Sequence, residues 1–160
     1  MIRSIHRLFY TAGLAIALLA GPASAEAAPE AQILAVLDRY MDAINDLDLE
    51  RHFDTYHFPH FRFASGTLSV WETRNEAMPL LDLPIAERRA QLRGLLGENW
   101  QRSEWIRREI VQADATKVHV VTRFERLREA GSLISAHDSL YILTFENARW
   151  AIKGRSSFAP

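Results

Sequence analysis

From Ala31 onward, apolar residues fall at Ile33, Val36, Leu37, Tyr40, Met41 and Ile44, while Asp38, Arg39, Asp42 and Asp46 lie off that series. The i, i+3, i+4, i+7 spacing predicts one amphipathic helix. Asn45-Asp46-Leu47-Asp48 interrupts it, and Asp48 is suited to cap a short second helix through Tyr56, with Leu49 and Phe53 turned inward. Pro59 closes that helix and forces an extended stretch. His60 to Ala64 and Thr67 to Trp71, joined by Ser65-Gly66, then read as a hairpin. Glu72 to Leu81 reads as helical, with breaks at Pro79 and Pro84. Ile85 to Leu96 reads as a charged amphipathic helix stopped by Gly97.

The remainder changes period. Glu104–Gln112, Lys117–Arg128, Leu133–Glu146 and Arg149–Ser157 are rich in β-branched and aromatic residues and are separated by turn compositions. Helices first and strands afterwards imply an α+β domain, with the helices packed against one face of a curved, mostly antiparallel sheet. On the second of these strands Val118, Val120, Thr122 and Phe124 oppose His119, Val121 and Arg123. On the third, Ser139, Tyr141, Leu143 and Phe145 oppose Leu140, Ile142 and Thr144. Both faces of the sheet are partly apolar. One is expected on the helices and the other on a second copy of the chain, so a homodimer through the outer sheet face is expected.

The first 25 residues do not belong to this pattern. Arg3 and Arg7 precede the apolar run LFYTAGLAIALLA, and small residues at Ala23 and Ala25 follow. Basic, apolar, small is the order of a secretory signal peptide, with cleavage expected after Ala25 and a secreted or periplasmic address. The apolar run is short for a membrane anchor. The chain has no cysteine, which excludes a lipid-anchored lipoprotein and leaves stability to packing. Residues 26–160 are one domain's worth of chain. The full chain carries 19 basic and 20 acidic residues, and 17 against 20 remain without Arg3 and Arg7. With no basic block there is no footprint for nucleic acid, and nothing after residue 26 is apolar enough to re-enter a membrane.

The stretch YMDAINDLDLERHFDTY, a strand entered through His-Phe-Pro-His, and the closing strands from Lys117 to Phe158 resemble the nuclear transport factor 2-like superfamily. SnoaL-like polyketide cyclases and ketosteroid isomerases belong to it. The resemblance covers essentially the whole of residues 26–160, with Asp82–Gly97 longer than the usual connection. It implies a cystatin-like cone, a half-barrel wrapped over the first helix and enclosing an apolar pocket. This scaffold hosts isomerases, dehydratases, epoxide hydrolases and non-catalytic binders, so fold alone does not decide function.

The residues test those chemistries unequally. An isomerase of the ketosteroid type needs a carboxylate base on an early strand. Tyr40 sits where its helix-one tyrosine would, but His60 to Trp71 contains no acid. An epoxide hydrolase of the limonene type needs an arginine between two acids, for which only Arg123, Glu125 and Asp138 are available. An Arg–Glu pair on one strand face is more often a surface ion pair. A dehydratase of the scytalone type combines tyrosines with a histidine base assisted by a carboxylate; Tyr40, Tyr56, Tyr141, His57, His60, His119 and His137 are present, with Tyr40, His57 and His60 as the candidates. His57 and His60 lack a third ligand at companion spacing, and their odd separation on extended backbone points the rings apart, so no metal is expected. No cofactor is expected either. Tyr40, Phe61, Phe63, Trp71, Trp105, Phe124 and Tyr141 are assigned to the pocket wall. The sequence thus leads to an exported protein binding a small apolar or aromatic molecule. The alternatives are a cofactor-independent lyase or isomerase using a pocket histidine and tyrosine, and a dimeric interaction domain with a filled core.

Overall fold

A computed structural model describes residues 29–158. The expected signal sequence and its cleavage point lie outside them. Helix α1 (Glu30–Asn45) buries Ile33, Val36, Leu37, Tyr40 and Met41, the stripe its periodicity predicts. The chain turns through Leu47, at φ 54°, into α2 (Leu49–Asp54), whose cap is Asp48 accepting from Arg51 N at 3.1 Å.

Strand β1 (Tyr56–Ala64) begins earlier than expected, because Tyr56 pairs with Ile152 rather than closing α2. Its register with that partner slips between Tyr56 and Phe61, the stretch that contains Pro59. β2 (Thr67–Trp71) completes the hairpin through Gly66, whose φ of 75° suits glycine. The expected helix over Glu72–Leu81 is shorter. Thr73 caps a single turn, α3 (Arg74–Ala77), and a 3-10 turn (Pro79–Asp82) follows because Pro79 cannot donate into a continuing helix. Then come α4 (Ile85–Leu96), β3 (Trp100–Ala113), β4 (Lys117–Arg128), β5 (Leu133–Glu146) and β6 (Arg149–Ser157).

The strand order is β2-β1-β6-β5-β4-β3, an open sheet whose neighbours are antiparallel except for β1 against β6. The fold is α+β and mixed, as the helix-then-strand order implies. α1 is fastened to the sheet by directional bonds as well as by its stripe. Asn45 donates to Ser103 O at 2.9 Å and accepts from Ser103 N at 2.7 Å, Trp105 donates to Leu37 O at 3.2 Å, and Arg108 pairs with Asp38.

Cross-strand register defines the two faces. Ile110, Val120, Tyr141, Arg155, Arg62 and Ser69 form one row on the helix-covered face. Val121, Leu140, Ser156, Phe63 and Leu68 form a row on the other. Phe61 and Phe63, expected in the pocket, therefore lie on the outer face, where alternation sends them once Arg62 points inward. Phe61 covers Gly154, at which an added Cβ would meet the ring at 2.3 Å. Phe63, Leu68 and Val70 are exposed.

Candidate functional site

Between α1, α2, the α3–α4 segment and the inner face of the sheet lies a cavity of about 350 Å³. Much of its wall is aliphatic or thioether: Met41, Ile44, Met78, Leu92 and Leu96, with Phe53, Phe124 and Trp71. The α3–α4 segment supplies Ala77, Met78, Leu92, Leu95 and Leu96, the last three from Asp82–Gly97, the extra length noted in the sequence.

Three of the seven residues assigned to the pocket wall line the cavity: Tyr40, Trp71 and Phe124. Trp105 and Tyr141 stand behind them, with ring centroids 6.1 and 5.5 Å from Tyr40. Neither His57 nor His60 lines it. His57 donates to the carbonyl of Arg149 at 3.3 Å, and burial, then the nearby Arg149 cation, lowers its pKa. His60 donates from Nδ1 to Ile152 O at 3.2 Å. Its ring is stacked between Tyr56 at 4.0 Å and Trp71 at 5.8 Å, and burial lowers its pKa to about 4. It is a neutral core ring, and the HFPH stretch belongs to the strand's packing.

The histidine at the cavity is His52. It sits on α2 at the i+3 position from Leu49, one residue before Phe53, so its inward face was readable from helical spacing. Its ring lies 4.4 Å from Tyr40, and Nε2 is 3.1 Å from the Tyr56 hydroxyl. Burial, reinforced by the Arg155 charge, lowers its pKa to about 3, so the ring is neutral at physiological pH.

The polar remainder is cationic. Arg62, Arg126 and Arg155 line the cavity, and its lining contains no aspartate or glutamate. Arg155 donates from Nη1 to the hydroxyls of Tyr40 at 2.6 Å and Tyr141 at 3.3 Å. Its guanidinium stays charged, because those phenol oxygens offset the burial that opposes the cation. Burial lowers the pKa of Arg126, whose guanidinium lies 5.9 Å from the Phe124 ring, but arginine remains protonated across the physiological range. Arginine's place between apolar neighbours, as in Phe61-Arg62-Phe63, gave no local sign of this. Only the long-range register that sets Arg62 beside Arg155 does so.

Arg123 pairs with Asp138 at 2.7 Å on the outer face, with Arg107 at 3.9 Å from the same carboxylate. It is a surface ion pair and takes no part in the cavity. Among the described residues no group of three or more His, Cys, Asp or Glu side chains is placed to hold a metal ion. No helix among them is long and apolar enough to cross a membrane.

A family model described as NTF2-like protein (DUF6841) matches residues 29–157. Among solved structures, the chain is similar to an NTF-2 like protein of unknown function from Shewanella oneidensis MR-1. The TM-score is 0.63 and identity 16%, covering 82% of this chain and 99% of that one. It is also similar to an NTF2-like protein with a cystatin-like fold from Novosphingobium aromaticivorans, with TM-score 0.61, identity 12%, and coverage of 80% and 79%. A third likeness is to a ketosteroid isomerase-like protein from Erwinia carotovora atroseptica, with TM-score 0.53, identity 20%, and coverage of 80% and 93%. No curated protein matches the chain. At these identities the likeness is one of fold.

Proposed function

Because the chain belongs to the family of NTF2-like proteins described as DUF6841, we propose that its cone is used as a receptacle, binding a small molecule with an apolar body and carrying out no assigned reaction. The cavity itself carries this reading: about 350 Å³ walled largely by aliphatic and aromatic side chains. Ligand pockets are commonly a few hundred Å³ and mainly apolar, with a small number of placed polar groups. The test uses the neutral fluorophore N-phenyl-1-naphthylamine. The protein should enhance its emission saturably, and Ala77→Trp, which puts an indole into the cavity wall, should remove the effect. No saturable signal from the unaltered protein refutes the reading.

A second reading, a cofactor-independent lyase or isomerase, is favoured by one observation: Tyr40 and His52 face the same cavity. It requires a proton acceptor near operating pH. His52, with a pKa of about 3, is poorly matched to that task, and no lining carboxylate can replace it. Binding without turnover is the better fit.

The protein is further proposed to act as a homodimer through the outer sheet face. Phe63, Leu68 and Val70 are exposed there beside the partly buried Leu140 and Val121. Light scattering should give twice the monomer mass, and Phe63→Glu with Leu68→Glu should return it to one.

A further inference from the structure

Two features of the cavity are unusual together. Its body is apolar, yet it contains three arginines and no acidic side chain. Neither Arg126 nor Arg155 forms an ion pair with any described residue. The Nε atoms of both are buried without a hydrogen-bond partner. An unpaired cation in a low-dielectric wall is costly, and a half-satisfied one more so. Moreover, Arg155 and Arg62 are direct cross-strand neighbours, where like charges repel. Arg155 disfavours the charge of Arg62, and both disfavour that of Arg126.

What such a wall complements is negative charge attached to an apolar body. We propose that the cavity selects a carboxylate-bearing amphiphile, an aromatic or aliphatic acid, with its carboxylate held by Arg126 and Arg155 and its apolar part lying among Met41, Ile44, Phe53, Met78 and Leu92. The inference rests on the receptacle reading and names the class of molecule that enters. A guanidinium offers a planar fork of donors that matches a carboxylate. In Arg155, Nη1 donates to both tyrosine hydroxyls, which fix the group's orientation. Tyr40 serves here as a positioning residue for that guanidinium. The three arginines lie on the sheet side, opposite the aliphatic residues of α4, so one small acid group on an apolar body suits the site better than a multiply charged phosphate ester.

The experiment compares matched pairs by calorimetry: indole-3-acetate against indole-3-acetamide, and octanoate against octanamide. The unaltered protein, Arg126→Met and Arg155→Met are titrated at one ionic strength. Each acid should bind the unaltered protein at least about tenfold more tightly than its amide, the scale of one charge-assisted hydrogen bond. In Arg126→Met the acid should lose that advantage while the amide binds as before, and the variant should melt at a higher temperature because a buried cation is gone. Arg126→Lys should recover only part of the preference, since it restores charge without the fork. Equal binding of acid and amide overturns the carboxylate inference and leaves the receptacle standing. Binding of neither overturns both. An acid preference that persists in both methionine variants shows that the arginines are not the recognising groups and overturns the inference. Arg126→Met separates recognition from folding, because a merely structural arginine would lower stability when removed and would leave the acid-to-amide ratio unchanged.

Discussion

Acidification from pH 7 to pH 5 should weaken this protein through its buried histidines. His52 and His60 are held neutral by burial, with pKa values of about 3 and about 4 in the folded chain. In the unfolded chain both take up a proton near pH 6.5. The unfolded state therefore binds more protons in this window, and stability falls as pH falls. The stabilisation is fully present above pH 6.5, is lost progressively below it, and stops declining only beneath the folded values. At pH 5 each unfolded ring is almost wholly protonated and each folded ring almost wholly neutral, a cost of ~2 kcal/mol per histidine and ~4 kcal/mol for the two. A domain of this size commonly has only about 5 to 15 kcal/mol in total, so the effect is large. Urea unfolding followed by tryptophan fluorescence at the two pH values measures it. His60→Phe keeps a ring between Tyr56 and Trp71 but removes one titrating group, and it should remove ~2 kcal/mol of the pH-dependent drop. Ring-proton NMR gives the direct check. If either resonance titrates near 6.5, or if the urea midpoint is the same at pH 7 and pH 5, the assignment of two neutral core rings is wrong.

Further outcomes follow from packing. Gly154→Ala should cost about 1 to 3 kcal/mol, because the new Cβ occupies the place of the Phe61 ring; pairing it with Phe61→Ala should recover part of the loss in a denaturation cycle, and strict additivity would refute the contact. Leu37→Ala, fully buried on α1, should cost about 2 to 5 kcal/mol by urea unfolding. Asp48→Ala, which removes the α2 cap, should cost about 1 kcal/mol and slightly loosen the wall that carries His52. N-terminal sequencing of the protein recovered after expression in a bacterial host should begin at Glu26, and a mature chain retaining Arg3 would refute export by signal cleavage.

Legibility from sequence divided along local and non-local lines. α1, α4, the cap at Asp48, and strands β4, β5 and β6 follow from periodicity and turn chemistry contained within each segment. β1 followed in part: His60–Ala64 reads as strand from its own composition, whereas its start at Tyr56 depends on Ile152, distant in sequence, as a partner. The same long-range pairing governs the site. Aromatics were placed inward because they are apolar, yet β1 turns Arg62 inward and Phe61 outward, onto a glycine of the neighbouring strand. His52 is legible in the spacing Leu49, His52, Phe53, which places it on the inward face of α2. Arg126 and Arg155 carry no motif at all. Their proximity is a product of sheet register, which one strand's sequence does not contain.

The open sheet has two ends, and the β3 end is the long one, 14 residues with nothing paired beyond it among the described residues. A free strand border of that length is a template for another chain's backbone. Here its pairing with β4 slips at three places, near Trp100, Trp105 and Ile110, so the border is not straight. Arg102, Glu104, Arg107, Arg108 and Glu109 stud it with charge of both signs. An incoming strand would have to match an uneven hydrogen-bond ladder while desolvating those groups. Growth by adding strands edge to edge, which would continue into fibres, is thereby discouraged.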